Sequence, residues 1–271
     1  MTTPYTPVFD QTVLTVKKRL GERTKGQLGL VSLSLVFLGW LVLSRLYPET
    51  LFPSPSRTLL AAYSLMKTGA LAAALKATLY HILASYLVCM AIGVFLGVLM
   101  GRIRPMEEFN KNLISLVQTI PSLIIIAFSV IFFGISHLGI IFTLVVVGLP
   151  FITVTVWEGA KNVDANLIEM GRVYHSSDKR ILSKIVMPSI IPEIFAGSRL
   201  LMGGLWRTTL FAEFIMGKEG LGARIQKSMY LMETAEVFAW GGVVVALMIM
   251  SEYLIFRPLE AKMMKWKKKV V

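Results

Sequence analysis

L-Y-H-I-L-A-S-Y-L-V-C-M-A-I-G-V-F-L-G-V-L-M-G, residues 79–101, runs for 23 positions without an Asp, Glu, Lys or Arg. As a helix it is about 35 Å long at ~1.5 Å per residue, enough to cross a hydrocarbon layer of about 30 Å. Backbone amides in lipid must be bonded within their own helix, so a stretch of this kind reads as a transmembrane span. Five further long and nearly uncharged windows lie at 28–47, 113–133, 138–157, 193–215 and 237–256. The fourth follows the third after the short turn Gly134-Ile135-Ser136-His137, and the fifth is the least clean, with Arg199, Arg207 and Glu213 inside it.

The rest of the composition agrees. With 55% hydrophobic and 16% charged residues and a mean hydropathy of +0.67, the 271-residue chain is too apolar for one water-soluble domain. The expected fold is an all-α integral membrane protein of six transmembrane helices, residues 28–257, between a polar tail 1–27 and a basic tail 258–271. No small-residue cleavage site follows the first window, so no cleaved signal peptide is read. Segment 51–76, with Pro53 and Pro55 ahead of Leu59, Leu60, Tyr63, Leu65 and Met66, reads as a short amphipathic element on the outer surface.

Orientation follows from the basic residues. Nineteen Lys and Arg lie in the N-terminal tail, 102–111, 158–189 and from Arg257 onward, against six in the opposite set of segments. The excess places both termini in the cytoplasm, as an even number of spans requires. The run Lys265-Trp266-Lys267-Lys268-Lys269 suits anionic headgroups. Net charge +12 is spread along the chain without any nucleic-acid motif, which removes nucleic acid as a partner.

Reactive chemistry is absent from the pattern. The single Cys89 cannot form an internal disulfide and reads as a small buried hydrophobe. His81 and His137 read as isolated residues near the membrane interfaces, so no metal site is expected. No paired carboxylates or Ser-His pair suggest a membrane-embedded enzyme. No G-x-x-x-x-G-K-[ST] occurs, so the chain carries no phosphate-cradling loop of its own. Gly93, Gly97 and Gly101 form a small-residue stripe that favours close helix packing, and Pro121 removes one backbone bond from the third window.

The stretch 158–189 has its own grammar. Asp164 caps a helix whose apolar positions Leu167, Met170, Val173 and Tyr174 recur at intervals of three and four. Ser176-Ser177-Asp178 starts a second, with Ile181, Leu182, Ile185 and Val186, closed by Pro188 and Pro192. Two short helices parallel to the membrane surface follow. An Arg at mid-membrane costs roughly 2.5–3.5 kcal/mol by insertion scales, so Arg207 is expected at a polar cavity or beside a partner such as Glu213 of the same or the dimer-related chain. Arg199 is expected to snorkel towards the headgroups.

From Glu169 the chain reads E-M-G, then His175 six positions on, Ile185 sixteen on and Met187-Pro188, followed by P-E-I-F-A-G-S-R. This resembles the E-A-A loop of permease subunits in ATP-binding-cassette importers. L-F-P-S-P at 51–55, Ile120-Pro121, Phe132-Phe133-Gly134, Trp206, Ala212-Glu213 and Gly220-Leu221-Gly222 extend the resemblance over about residues 50–257. The group it resembles most is that of nitrate, sulfonate, taurine and bicarbonate permeases.

The resemblance implies that residues 164–175 are a coupling helix docking on a cytoplasmic ATPase, with the contact carried by Leu167, Glu169, Met170, Gly171, Tyr174 and His175, and with Ile185 and Pro188 in the second helix. It implies a homodimer with two ATPase subunits that bind the ATP and Mg²⁺, an external solute-binding protein received by outer loops including Gly220-Leu221-Gly222, and alternating access in the inner membrane. Pro121, Trp206, Arg207 and Glu213 would lie on the pathway or gate, Glu213 as gate architecture rather than as a proton relay. Arg207 replaces an apolar residue and would suit an anionic solute. Met170 and Gly171 stand for two alanines, Met187 for leucine, and Ala127 for a frequent proline. His175 stands for glycine, so its turn is an open point, because histidine accepts positive φ less readily. An ion-coupled secondary transporter is the alternative, which would use Glu213 as its intramembrane carboxylate.

Overall fold

The computed structural model describes residues 31–258. Apart from Pro258, the tails read at 1–27 and 258–271 lie outside them, as do the first residues of the first window. Helix α1 spans Val31–Leu46. There follow α2 (Pro55–Lys67), α3 (Ala70–Arg102), α4 (Arg104–Thr119), α5 (Ser122–Phe133), α6 (His137–Lys161), α7 (Ala165–Val173), α8 (Asp178–Ile181), α9 (Met187–Ser189), α10 (Ile191–Met216), α11 (Leu221–Tyr230) and α12 (Thr234–Met250). Leu182–Val186 widens to a π-helix between α8 and α9, and Ser251–Phe256 does the same after α12.

Local chemistry sets the starts. Ser54 caps α2, its hydroxyl accepting from the Arg57 amide at 3.4 Å, with Pro55 at the first helical position. Ser136 caps α6 by accepting from the Gly139 amide at 3.2 Å. The α2 element is the one expected in segment 51–76, and it packs on α12 and α3.

Three described helices are long and apolar enough to cross a membrane, α3, α6 and α12, and two further candidates are bent pairs. The third window departs from a single span. Its chain bends by 95° at Ile120-Pro121 between α4 and α5. Proline has no amide to donate and pushes the residue before it out of the α region, and Ile120 is extended, with ψ 123°. What a lost backbone bond was expected to loosen is instead a corner. The α5 remnant of 12 residues is about 18 Å long, shorter than the hydrocarbon layer. The second window grows the other way, since α3 begins at Ala70, nine residues before the uncharged run.

The core is a sandwich of α3, α6 and α10. The glycine stripe builds it: a Cβ on Gly97 would meet the Thr153 carbonyl oxygen and the Val156 Cβ, each at 2.8 Å, and one on Gly101 would meet the Ala160 Cβ at 2.5 Å. The stripe therefore seats α3 directly on the α6 backbone, as small residues do between membrane helices. Two buried hydroxyls tie α6 to α5: Thr143 donates to Ser129 Oγ at 2.7 Å and Ser129 to the Ile125 carbonyl at 2.8 Å. Outward faces are apolar, with Ile131 at 73% and Phe132 at 74% exposure, a surface that suits lipid rather than water.

Consecutive spans alternate in direction. One end of the bundle therefore carries α7–α9, and the opposite end carries α2, the α5–α6 turn and the α10–α11 turn.

Candidate functional sites at the two ends of the bundle

At the first end, Asp164 caps α7 as expected, accepting from the Asn166 amide at 2.9 Å. Ile168 and Gly171 face inward, and Leu167, Met170, Val173 and Tyr174 remain exposed, Tyr174 at 78%. Glu169 and Pro188 are exposed as well, and Ile185 is half-buried. Gly171 does not belong to the outward face. It lies against Ile181 and Ile185, so its small size lets α7 seat on the second short helix of the same chain. That second helix lacks the side-chain cap expected of Ser177, whose carbonyl instead accepts from the Arg180 and Ile181 amides.

The His175 turn closes in the form a glycine would give. His175 takes φ 52°, its amide bonds to the Arg172 carbonyl at 2.8 Å, and the Ser176 amide reaches back to the Gly171 carbonyl at 3.0 Å. This is the Schellman pair of bonds. The two satisfied carbonyls hold the histidine in the left-handed region despite its Cβ.

On the flank of the bundle nearest this end, a cavity of about 750 Å³ runs along α10 and is lined by Glu193, Arg199, Gly203, Gly204 and Arg207, with Phe151 and Thr155 of α6 and with Glu252. Arg199 is held by a carboxylate. It clasps Glu252 with two nitrogens, Nε donating to Oε2 at 3.2 Å and Nη2 to Oε1. Arg207 opens to the cavity and does not meet Glu213. Six residues turn a helix by about 600°, which leaves the two side chains on different faces. Trp206 is 4% exposed and packs in the core, apart from the residues that line the cavity. The four residues expected on the pathway thus occupy four places: Pro121 the corner, Trp206 the core, Arg207 the cavity and Glu213 the opposite end.

At that opposite end the histidines are not isolated. Glu213 is fully buried, and its carboxylate accepts from His81 Nδ1 on Oε1 at 2.8 Å and from the Thr78 hydroxyl on Oε2 at 2.8 Å. The Gly222 amide donates to the same Oε2 at 3.0 Å, and the Leu221 amide donates to Thr78 Oγ1 at 2.8 Å. His81 Nε2 lies 2.8 Å from His137 Nδ1. Three spans and the start of α11 are thereby joined through one carboxylate. The glycines admit the approach: Gly220 has φ 110°, and a Cβ on Gly222 would meet the Glu213 Cβ at 2.7 Å. Sequence separation hid this cluster, for His81 lies 56 positions from His137 and 132 from Glu213. The available signal was depth, since all three fall near the same membrane face once spans are oriented, with Thr78 and His81 one helical turn apart.

The family described as binding-protein-dependent transport system inner membrane component matches residues 90–265, well over half of the chain. The chain belongs to this family. It is an all-α membrane permease, a transport component rather than an enzyme, and it works with an ATPase and a solute-binding protein in an ATP-binding-cassette importer. A putative aliphatic sulfonates transport permease protein of Bacillus subtilis, SsuC, is 27% identical over 93% of this chain and 92% of its own length. The taurine transport system permease protein TauC of Escherichia coli is 26% identical over 71% of this chain and 70% of its own. Among solved structures, an inward-facing MetNI methionine ABC transporter chain superposes with a TM-score of 0.62 at 19% identity, over 70% of this chain and 94% of that one. That likeness concerns the fold. The ion-coupled carrier is not favoured by any of these findings.

Proposed function

We propose that this permease carries a small organic anion of the sulfonate class inward, as a homodimer served by two ATPase subunits that hold the ATP and Mg²⁺, and that residues 164–175 are its coupling helix. The observation carrying the reading is the outward face of α7. Leu167, Met170 and Tyr174 form an apolar patch beside the exposed Glu169, on a helix pinned by the Asp164 cap, the His175 turn and the Gly171 seat. A short rigid helix with an apolar face and a charged rim suits a groove in a partner subunit. The basic excess of 102–111 and 158–189 puts this end in the cytoplasm and, with it, both termini. The end bearing Glu213 then faces outward, where the α10–α11 turn meets the binding protein.

Glu169→Lys tests the docking. The variant inserts and folds normally but loses at least about tenfold in ATPase affinity, a change of roughly 1.4 kcal/mol, in pull-down titrations. Undiminished association would count against the coupling helix. The names of the sulfonate and taurine permeases and the open guanidinium of Arg207 support the solute class. Arg207→Leu should leave the melting temperature in detergent unchanged while raising the half-saturating concentration for transport of a short alkanesulfonate. Wild-type transport kinetics would reduce Arg207 to scaffold.

A further inference from the structure

We propose that the chain Glu213–His81–His137 makes the outer gate proton-sensitive, acid stabilising the latched form; the proposal rests on the permease reading for the word gate, but not for the latch itself. The latch is geometric. One buried carboxylate on α10 holds the first amides of α11, directly through Gly222 and by way of Thr78 through Leu221. Moving α11 away from α10, as any opening at this turn must do, breaks these bonds.

The histidines connect that carboxylate to water. His81 is wholly buried, but His137 stands at the α5–α6 turn and is exposed. The carboxylate only accepts, so His81 Nδ1 is the donor, and His81 Nε2 shares one proton with His137 Nδ1. A further proton taken up at the His137 end is accommodated without moving a heavy atom. It leaves a positive charge two imidazoles or fewer from Glu213.

The sign follows from where water is. In the latched form the Glu213 carboxylate is sealed from bulk solvent, so a nearby positive charge stabilises it strongly. In an open form water shares that task and the charge matters less. Protonation of the histidine pair therefore favours the latch. Beside the chain stand Tyr80 on α3, its ring edge-on to His137 at 6.1 Å, and Lys218 and Glu219 of the α10–α11 turn, which line the same cavity of about 240 Å³ as His81 and His137.

The test is hydrogen exchange of residues 217–224 in the full chain in lipid nanodiscs, at about pH 6 and about pH 8, corrected for the intrinsic pH dependence of exchange. Protection in the wild type should be at least about threefold higher at the lower pH. His137→Gln keeps a hydrogen-bonding group beside His81 but cannot take the proton, and its protection ratio should fall to about one. His137→Asn serves if the glutamine variant is poorly folded, as judged by protection of α3 and α6. A flat wild type, or an equal pH ratio in wild type and variant, overturns the proposal. Loss of ATPase co-purification would instead count against the permease reading, and this exchange measurement does not depend on it.

Discussion

Gly97→Leu is expected to abolish the folded permease. A leucine there must enter the space held by the Thr153 carbonyl and the Val156 side chain, where even a Cβ would come within 2.8 Å. Overpacking usually costs about 1–3 kcal/mol when side chains can yield. Here the obstacle includes helix backbone, so α3 and α6 must separate along their shared seam and the cost lies at or above the top of that range. Size-exclusion profiles and thermal unfolding in mild detergent should show aggregated or unfolded protein. Gly39, where a Cβ would find nothing within 4 Å, offers the control: Gly39→Leu should run like the wild type.

Glu213→Ala is the second large effect. It strands three buried donors together, His81 Nδ1, the Thr78 hydroxyl and the Gly222 amide. Each orphaned group costs about 1–3 kcal/mol, so the latch loses on the order of 3 kcal/mol or more. The expected result is a lowered melting temperature together with transport below detection. Glu213→Gln retains one accepting oxygen and should fall between the alanine variant and the wild type in both measurements. Equal stability of all three proteins would mean that the latch carries no load.

The span windows are legible in the sequence because lipid leaves a one-dimensional trace, a run of uncharged residues of fixed length. The short α7 is legible because Asp164 and the three-and-four spacing are local signals. Pro121 is visible, but its consequence is not: a proline announces a lost bond, whereas the 95° corner depends on where α4 and α5 find their neighbours. The His81–His137–Glu213 cluster escapes a sequence reading because contact between three separate spans leaves no local mark. Arg207 and Glu213 mislead in the opposite direction. Proximity in sequence suggests a pair that helical rotation forbids within one chain. Gly171 shows a subtler limit, since a small residue declares a close approach without declaring to what.

If this chain is the membrane half of an importer and its α7 grips an ATPase, the two proteins should leave the membrane together. The tagged chain is to be purified from its own host in mild detergent, and its partners identified and counted by mass spectrometry. The expected result is an ATP-binding-cassette ATPase in equimolar amount, lost when Glu169 is replaced by lysine. A chain recovered alone, with no nucleotide-binding partner under conditions that preserve its fold, would contradict it.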